Sequence, residues 1–316
     1  MNASGSLSAP PSNLKRNIAM SEFVCAILVT YNRLDSLKIA LEHYFQQSVK
    51  AGALVIIDNF SSDGTKEYLA TLEGRPGVHC ITLNSNIGAG GAITHGMKYA
   101  MENMDPDYFW ILEDDTYYQK HALEDLLRHI KDSSYGMISL KGFHYNFAST
   151  SKVKGTSELQ QVQMALLDGS LIKADVIRKI GTPKSEYFMM CDDYEFSLRL
   201  NKKGYKIGLI DIQSANYLHM GGGGKFSHAT LWRGYYSSRN HLLILREYFS
   251  VEKLLSYFFR QSKYLVSAAL FAPDRFKRVK FRLLGIWHGI RGIQGKTLDP
   301  KTLQFQLHKK GTGKNG

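Results

Sequence analysis

Apolar residues in this chain form short blocks that alternate with amphipathic stretches. Residues 24–30 (VCAILVT) are an unbroken run rich in β-branched side chains, followed by polar Tyr31-Asn32-Arg33. Such a run predicts a strand buried on both faces that ends in a polar loop. Residues 35–47 then carry Leu37, Ala40, Leu41 and Phe45 at helical spacing. A second apolar run, ALVIID, ends at Asp58, and a helix through Tyr68 and Leu69 follows its loop. A third, VHCITL (78–83), leads through glycines to a helix from about Ala92 to Met101, and a fourth, YFWIL (108–112), stops on Glu113-Asp114-Asp115. This alternation predicts an α/β fold with a mostly parallel, doubly wound sheet, and such sheets bind ligands at the carboxyl ends of their strands. The polar loops Thr30–Arg33, Asp58–Asp63 and Glu113–Asp115 all fall at those ends.

Beyond residue 135 the pattern is mixed. MISLKGF (137–143) reads as one strand, and LLDGSLIKADVIRKIG as a strand or loop entering a helix closed by Gly181. CDDYEFSLRLNKKGY reads as an amphipathic helix, and KIGLI as a strand closing toward His219. From about 230 the chain reads as helical and aromatic to Phe271, with a break at Ala272-Pro273. The expected organisation is a flexible arm over 1–20, an α/β domain over 21–230, and a basic, aromatic helical region over 231–316.

Composition narrows the class. With 316 residues, 44% of them apolar and 22% charged, the chain can bury a large core, which excludes disorder throughout. The longest late stretch without charge, Tyr264 to Pro273, falls well short of the roughly 20 residues of a spanning helix. Cys25, Cys80 and Cys191 show neither a CxxC pair nor zinc spacing, and the first residues lack the apolar core of a signal peptide. A reducing, cytoplasmic setting is therefore expected.

The charge changes the picture by where it sits. Lys and Arg number 40 against 28 Asp and Glu, a net charge of +12. Eleven Lys and Arg lie in residues 274–316, opposed only by Asp274 and Asp299, so nine of the twelve net charges fall in that tail. Such a tail can serve nucleic acid, an anionic membrane surface, or solubility alone. No nucleic-acid motif accompanies it, and no nucleic-acid partner is expected.

Candidate chemistry lies in four places. Glu113-Asp114-Asp115 puts three acids at a strand end, where they repel one another unless a cation intervenes. A hard divalent ion such as Mg²⁺ or Mn²⁺ fits there, as does a solvated turn. Asp192-Asp193-Tyr194-Glu195 opens a helix; the helix dipole accounts for one acid, but three beside Arg199 suggest a general base as well. His219 precedes four consecutive glycines and is a candidate metal ligand. Asn86-Ile87-Gly88-Ala89-Gly90-Gly91 offers close backbone approach at a helix start, without the lysine of a phosphate loop.

Together these segments resemble the inverting nucleotide-sugar glycosyltransferases of the GT-A fold, family 2. The resemblance rests on Val29–Arg33, Asp58–Thr65, Asn84–Gly91, Glu113–Asp115, and Asp192–Phe196 with Arg199, in the family's order across residues 24–220. The DDYEF form of the last segment, His219, and Tyr235-Tyr236-Ser237-Ser238-Arg239-Asn240 are similar to the galactofuranosyl- and rhamnosyltransferase branch. The resemblance implies that Thr30, Tyr31, Asn32, Arg33, Asp58 and Asn59 hold the nucleobase and ribose of a UDP- or dTDP-sugar. Asp63, Asn86, Gly88 and Gly91 would lie near the same nucleotide. Asp115 and His219 would bind Mn²⁺ or Mg²⁺. Glu113 would meet the ribose or a metal water, with Asp114 beside it. Asp193 would be the base and Glu195 its partner acid, Asp192 being the weaker candidate for the base.

Trp232, Tyr235 and Tyr236 are candidates for stacking on sugar, and core packing is the expected role of at least two of them. The implied activity is transfer of a hexose, UDP-galactofuranose being the favoured donor and dTDP-rhamnose the alternative, to a hydroxyl of a lipid-linked or growing glycan. The implied place is the inner face of the cytoplasmic membrane, reached through the C-terminal region. A helical subunit interface in a homo-oligomer is the competing use of those helices. The reading from another class is a basic-tailed nucleic-acid- or membrane-binding protein without transferase activity.

Overall fold

The computed structural model describes residues 22–305 except 132, 146, 157, 211–214 and 218–226. The expected arm and His219 lie outside the described residues. The first half alternates as predicted: β1 (Val24–Thr30), α1 (Leu34–Phe45), β2 (Ala53–Asp58), α2 (Thr65–Ala70), β3 (Val78–Thr82), α3 (Ala89–Asn103) and β4 (Tyr108–Glu113). Next come β5 (Thr116–Tyr118), α4 (Ala122–Ile130), β6 (Tyr135–Ser139), β7 (Gly142–Tyr145), β8 (Thr150–Lys152), β9 (Gln160–Val162), β10 (Met164–Ala165) and β11 (Leu171–Lys173). The chain then runs through α5 (Ala174–Ile180), α6 (Asp192–Lys202), β12 (Lys206–Leu209), β13 (Ala215–Tyr217), α7 (Leu231–Glu247), α8 (Val251–Phe271) and α9 (Arg275–Ile290).

Eight strands form the main sheet in the order β3-β2-β1-β4-β11-β6-β12-β9. β1 pairs in parallel with β2 and β4, and β2 with β3, so four carboxyl ends emerge side by side. β11 enters antiparallel between β4 and β6. Every residue of β1 and β2 is buried, as expected where helices cover both faces. One core, with Ile27, Ile57 and Phe109, lies against α3, and the other, with Leu28, Ile56 and Trp110, against α1 and α4.

The single strand expected over 137–143 is two strands in different sheets. β6 stays in the main sheet beside β12, while β7 pairs with β8 and β10 in a second, three-stranded sheet. The break lies at Leu140-Lys141, and Lys141 turns into the cleft described below. Strands β5 and β8 escaped the sequence reading because each is only three residues long and β8 is wholly exposed, leaving no apolar run to detect.

At the C-terminal end α9 packs along α7. A Cβ on Gly285 would overlap the Tyr235 carbonyl and the Ser238 hydroxyl, so only glycine permits this approach. The Tyr235–Asn240 segment supplies the joint. Arg239, fully buried, donates to the carbonyls of Gly295 (2.7 Å) and Tyr187 (2.9 Å) and to the Thr297 hydroxyl (2.8 Å). The helical region is thereby tied to the loop that precedes α6.

Candidate active site

Three loops at the ends of β1, β2 and β4 interlock through short side chains. Asp114 accepts hydrogen bonds from the Thr30 hydroxyl (2.8 Å), the Tyr31 amide (3.1 Å) and the Arg33 guanidinium (3.0 Å). Burial pushes its carboxyl above the usual range, and Arg33, Thr30 and Tyr31 only partly oppose this. Arg33 also reaches Asp115 at 2.5 Å, leaving Asp115 as the more accessible of the two acids. Asp114 thus supports the Thr30–Arg33 loop rather than standing free.

The next loop is fixed in the same way. Asn32, at a left-handed φ of 52°, accepts from the Ser62 amide at 2.7 Å. Asp58 accepts from the Ser61 amide through Oδ1 (2.9 Å), while its Oδ2 is buried with no partner. An unsatisfied buried carboxylate oxygen is costly and here marks a place for a donor group. Asn59 accepts from the Ile87 amide (2.9 Å) and reaches the Gly88 carbonyl (3.2 Å), which pins the glycine turn to β2.

Asp63 stands apart from the cleft. It caps α1 and α2, accepting from the amides of Leu34 (2.9 Å) and Thr65 (3.2 Å). Slight desolvation raises its carboxyl, but the Thr65 hydroxyl (2.6 Å) and these amides hold it below the usual range. It lines a neighbouring cavity with Tyr31, Asn86 and Lys296.

The cleft beneath these loops has a volume of about 510 Å³. It is lined by Thr30, Tyr31, Asn32, Arg33, Asn59, Asn86, Glu113, Asp114, Asp115, Asp193 and Trp232, so most residues singled out in the sequence converge there. Gly88 and Gly91 do not line it and act through the turn. A Cβ on Gly88, whose φ is +83°, would overlap the Phe188 carbonyl, so the turn can meet the Phe188 loop only as glycine.

Carboxylates crowd the floor. Burial together with Asp168, Asp115, Asp193 and Asp114 pushes the Glu113 carboxyl well above its ordinary range. Asp193 accepts from the Leu167 amide at 2.7 Å, and burial with Asp192 and Asp168 raises its pKa to about 8, Lys141 opposing. Burial also raises Asp192. Among the described residues, no three His, Cys, Asp or Glu side chains converge as a metal cage.

Glu195 points elsewhere. It is fully buried and held by Arg199 through both oxygens at 3.0 Å, with Lys184 at 3.4 Å and the Tyr248 hydroxyl at 3.3 Å. Its four-residue offset from Arg199 places both on the α6 face turned away from the cleft, where the pair joins α6 to α7. Tyr235 and Tyr236 are buried core residues, and only Trp232 of the aromatic trio reaches the cleft.

Three cleft residues were missed in the sequence. Asp168 accepts from Tyr118 (2.5 Å), Thr116 (2.8 Å) and the Glu113 amide (3.1 Å), and burial lifts its pKa to about 6. Asp168-Gly169 reads as an ordinary turn before a strand, which hid it. Lys141 was absorbed into the expected strand. Arg233 has a buried Nε without a partner, and burial with Arg33 lowers its pKa. Its signal was only its place beside Trp232.

A parallel sheet edge whose loops close over an acid-lined, half-open cleft defines a GT-A-type transferase. The chain belongs to glycosyl transferase family 2, whose pattern matches residues 25–187, and it is a glycosyltransferase. It is 24% identical over 227 residues to galactofuranosyltransferase GlfT1 of Mycolicibacterium smegmatis, covering 65% of this chain and 74% of that one. It is 20% identical over 307 residues to low-salt glycan biosynthesis hexosyltransferase Agl10 of Haloferax volcanii, covering 90% and 95% respectively. Its fold is similar to that of GalNAc-T7, crystallised with UDP, GalNAc and Mn²⁺, at 13% identity and a TM-score of 0.62 over 86% of this chain. The match spans 56% of the GalNAc-T7 chain. The reading as a basic-tailed binding protein without transferase activity is thereby overturned.

Proposed function

We propose that this enzyme transfers galactofuranose from UDP-galactofuranose, with inversion, to a hydroxyl of a lipid-linked or growing glycan. The observation that carries the reading is Asp193. It is a carboxylate in the cleft, oriented by the Leu167 amide, with a proton affinity lifted toward neutrality. A general base works best with a pKa near the working pH. Asp193 takes the proton of the acceptor hydroxyl as that oxygen bonds to the anomeric carbon. The bond from that carbon to the diphosphate breaks on the opposite face, in a single displacement.

Asp58 receives the uracil N3–H through its unpaired Oδ2, and the Thr30–Arg33 loop with Asn59 flanks the nucleoside. Trp232 and Arg233 close the cleft from α7. The donor set fits a hard divalent ion in kind, because Glu113, Asp115 and Asp193 line the cleft with carboxylate oxygens. Asp115 and His219 would hold Mn²⁺ or Mg²⁺, and the remaining positions would fall to phosphate and water. Bound there, the ion would offset charge on the leaving diphosphate. Glu195 acts on this site by holding α6 against α7.

The enzyme works on the inner face of the cytoplasmic membrane, and α8 and α9 support this. Among the described residues no helix is long and apolar enough to cross a membrane. Phe271 and Phe276, either side of the turn between these helices, are 76% and 81% exposed. Arg275, Lys277 and Lys280 sit among them, a combination suited to anionic lipid.

A screen of nucleotide sugars for Mn²⁺-dependent release of nucleoside diphosphate tests the donor. Release from UDP-galactofuranose well above that from dTDP-rhamnose is expected. The reverse order would replace the donor, and release from neither would overturn the reading.

A further inference from the structure

A second cavity, of about 340 Å³, adjoins the cleft and shares Glu113 and Asp193 with it. Met164, Leu167 and Met190 supply apolar wall, and Asp192 and Asp193 line it with them. Tyr145, His241 and Arg260 complete the lining. His241 Nδ1–H donates to the Ser237 carbonyl (2.6 Å), which leaves Nε2 to accept from the Tyr145 hydroxyl. Burial with Arg260 and Arg282 lowers its pKa to about 3, so the imidazole is neutral. It supplies no charge to match Arg260.

Arg260 projects from α8 between the rings of Tyr145 and Tyr264, 5.5 and 5.6 Å from their centroids. Its Nε is buried without a hydrogen-bond partner, and Nη1 has only a 3.5 Å contact to the Thr150 hydroxyl. Among the described residues no carboxylate pairs with it. Arg282 stands behind it, 4.6 Å from the Tyr264 ring. Burial, with Arg260 among the opposing charges, pulls Arg282 down to about 10. Two neighbouring guanidiniums held by aromatic rings, with no carboxylate paired to either among the described residues, make a preformed anion site.

We infer that this cavity receives the acceptor, and that the acceptor carries a phosphate ester bound by Arg260 while its hydroxyl faces Asp193. The inference rests on the transferase reading above and adds to it the acceptor's chemical class. The phosphate can belong to a glycolipid or to a water-soluble sugar phosphate. Leu255, Phe258 and Phe259, exposed on α8 near Arg260, offer a surface for an alkyl chain of the first.

Binding of octyl diphosphate, inorganic pyrophosphate and uncharged octyl glucoside to the full chain, with UDP and Mn²⁺ saturating the donor cleft, tests this. Saturable binding of octyl diphosphate is expected, weakened about 10- to 100-fold in Arg260→Gln, as for a lost hydrogen bond to a charged group. Arg260→Lys should recover part of it, and octyl glucoside should bind neither protein well. UDP affinity and the unfolding midpoint of Arg260→Gln report that the fold and donor cleft are intact. Tighter binding of octyl diphosphate than pyrophosphate identifies a lipid source, and equal binding a soluble phosphate. Equal affinity of the wild type and Arg260→Gln, or no saturable binding, overturns the inference. A wild type that fails to bind UDP counts against the donor reading instead, and the diphosphate comparison is then made without it.

Discussion

The side-chain amide of Asn240, in the middle of α7, lies 2.8 Å from the carbonyl oxygen of Met190, two residues before Asp192. The same amide reaches the carbonyls of Met189 (2.8 Å) and Tyr187 (3.0 Å). Phe188, Met190 and Cys191 all have φ between 61° and 70°, a region that non-glycine residues enter only when held. Asn240 and Arg239 therefore hold the bend that brings Asp192 and Asp193 to the cleft.

Replacing that amide should release the bend. Asn240→Ala is expected to cost about 3 kcal/mol, at roughly 1 kcal/mol for each of its two N–H groups and for Oδ1, which accepts from Arg239 Nε. Urea unfolding measures it. A change under about 1 kcal/mol would show that the loop keeps its shape without α7.

Gly88 meets the same bend from the other side. Gly88→Ala introduces a Cβ into the Phe188 carbonyl at a positive φ. UDP affinity by calorimetry should fall at least tenfold, together with a lower melting temperature. Gly74 also has a positive φ, but a Cβ there would meet nothing within 4 Å. Gly74→Ala therefore separates conformational strain from collision, and its UDP affinity should stay as in the wild type.

Asp193 makes the protein's stability depend on pH. The folded state keeps this proton up to about 8, whereas an unfolded Asp loses it near about 4. Folding therefore takes up a proton between those values, and stability should fall as pH rises through the window. Asp193→Asn should flatten this fall in urea unfolding without added metal, retain UDP binding, and lose transfer by about 10²- to 10⁴-fold. Loss of UDP affinity instead would remove Asp193 as the base.

The orphan oxygen of Asp58 predicts base selectivity. Uracil presents a donor at N3 and cytosine an acceptor, so UDP should bind more tightly than CDP. Asp58→Ala should lower UDP affinity about tenfold or more, the value of a charge-assisted hydrogen bond, and abolish the preference. Equal UDP and CDP affinities in the wild type would place the base elsewhere.

The turn between α8 and α9 predicts a membrane contact. Phe271→Ser with Phe276→Ser should reduce co-sedimentation with vesicles containing anionic lipid and leave UDP affinity unchanged. An unchanged sedimentation profile, with a change in oligomeric state, would assign the face to a subunit interface.

Much of the catalytic half was legible because β1, β2 and nearly all of β4 are buried on both faces. Val24–Thr30 and Ala53–Asp58 can be read as apolar runs, and the polar residue that ends each run marks the ligand side of the sheet. The same logic failed for Lys141 and Asp168. They sit at breaks between short, mixed strands, where neither an unbroken run nor a period of two survives. It failed also for Glu195, because spacing within one helix does not tell which face its neighbours will occupy.

The succession of the first strands along the chain and the acids at their ends belong to the sequence, since an unbroken apolar run and the polar loop after it are local properties of the chain. Tertiary structure decided what those acids do. It gave Asp114 to Arg33 and Thr30, Glu195 to Arg199, left one buried Asp58 oxygen without a partner, and set Asp193 in the wall of the cleft. It also brought Arg260, more than sixty residues from Asp193 in sequence, to the wall of the same cavity as Asp193. A side chain's partner depends on which distant segments fold beside it, and burial then sets what an unpaired charge costs.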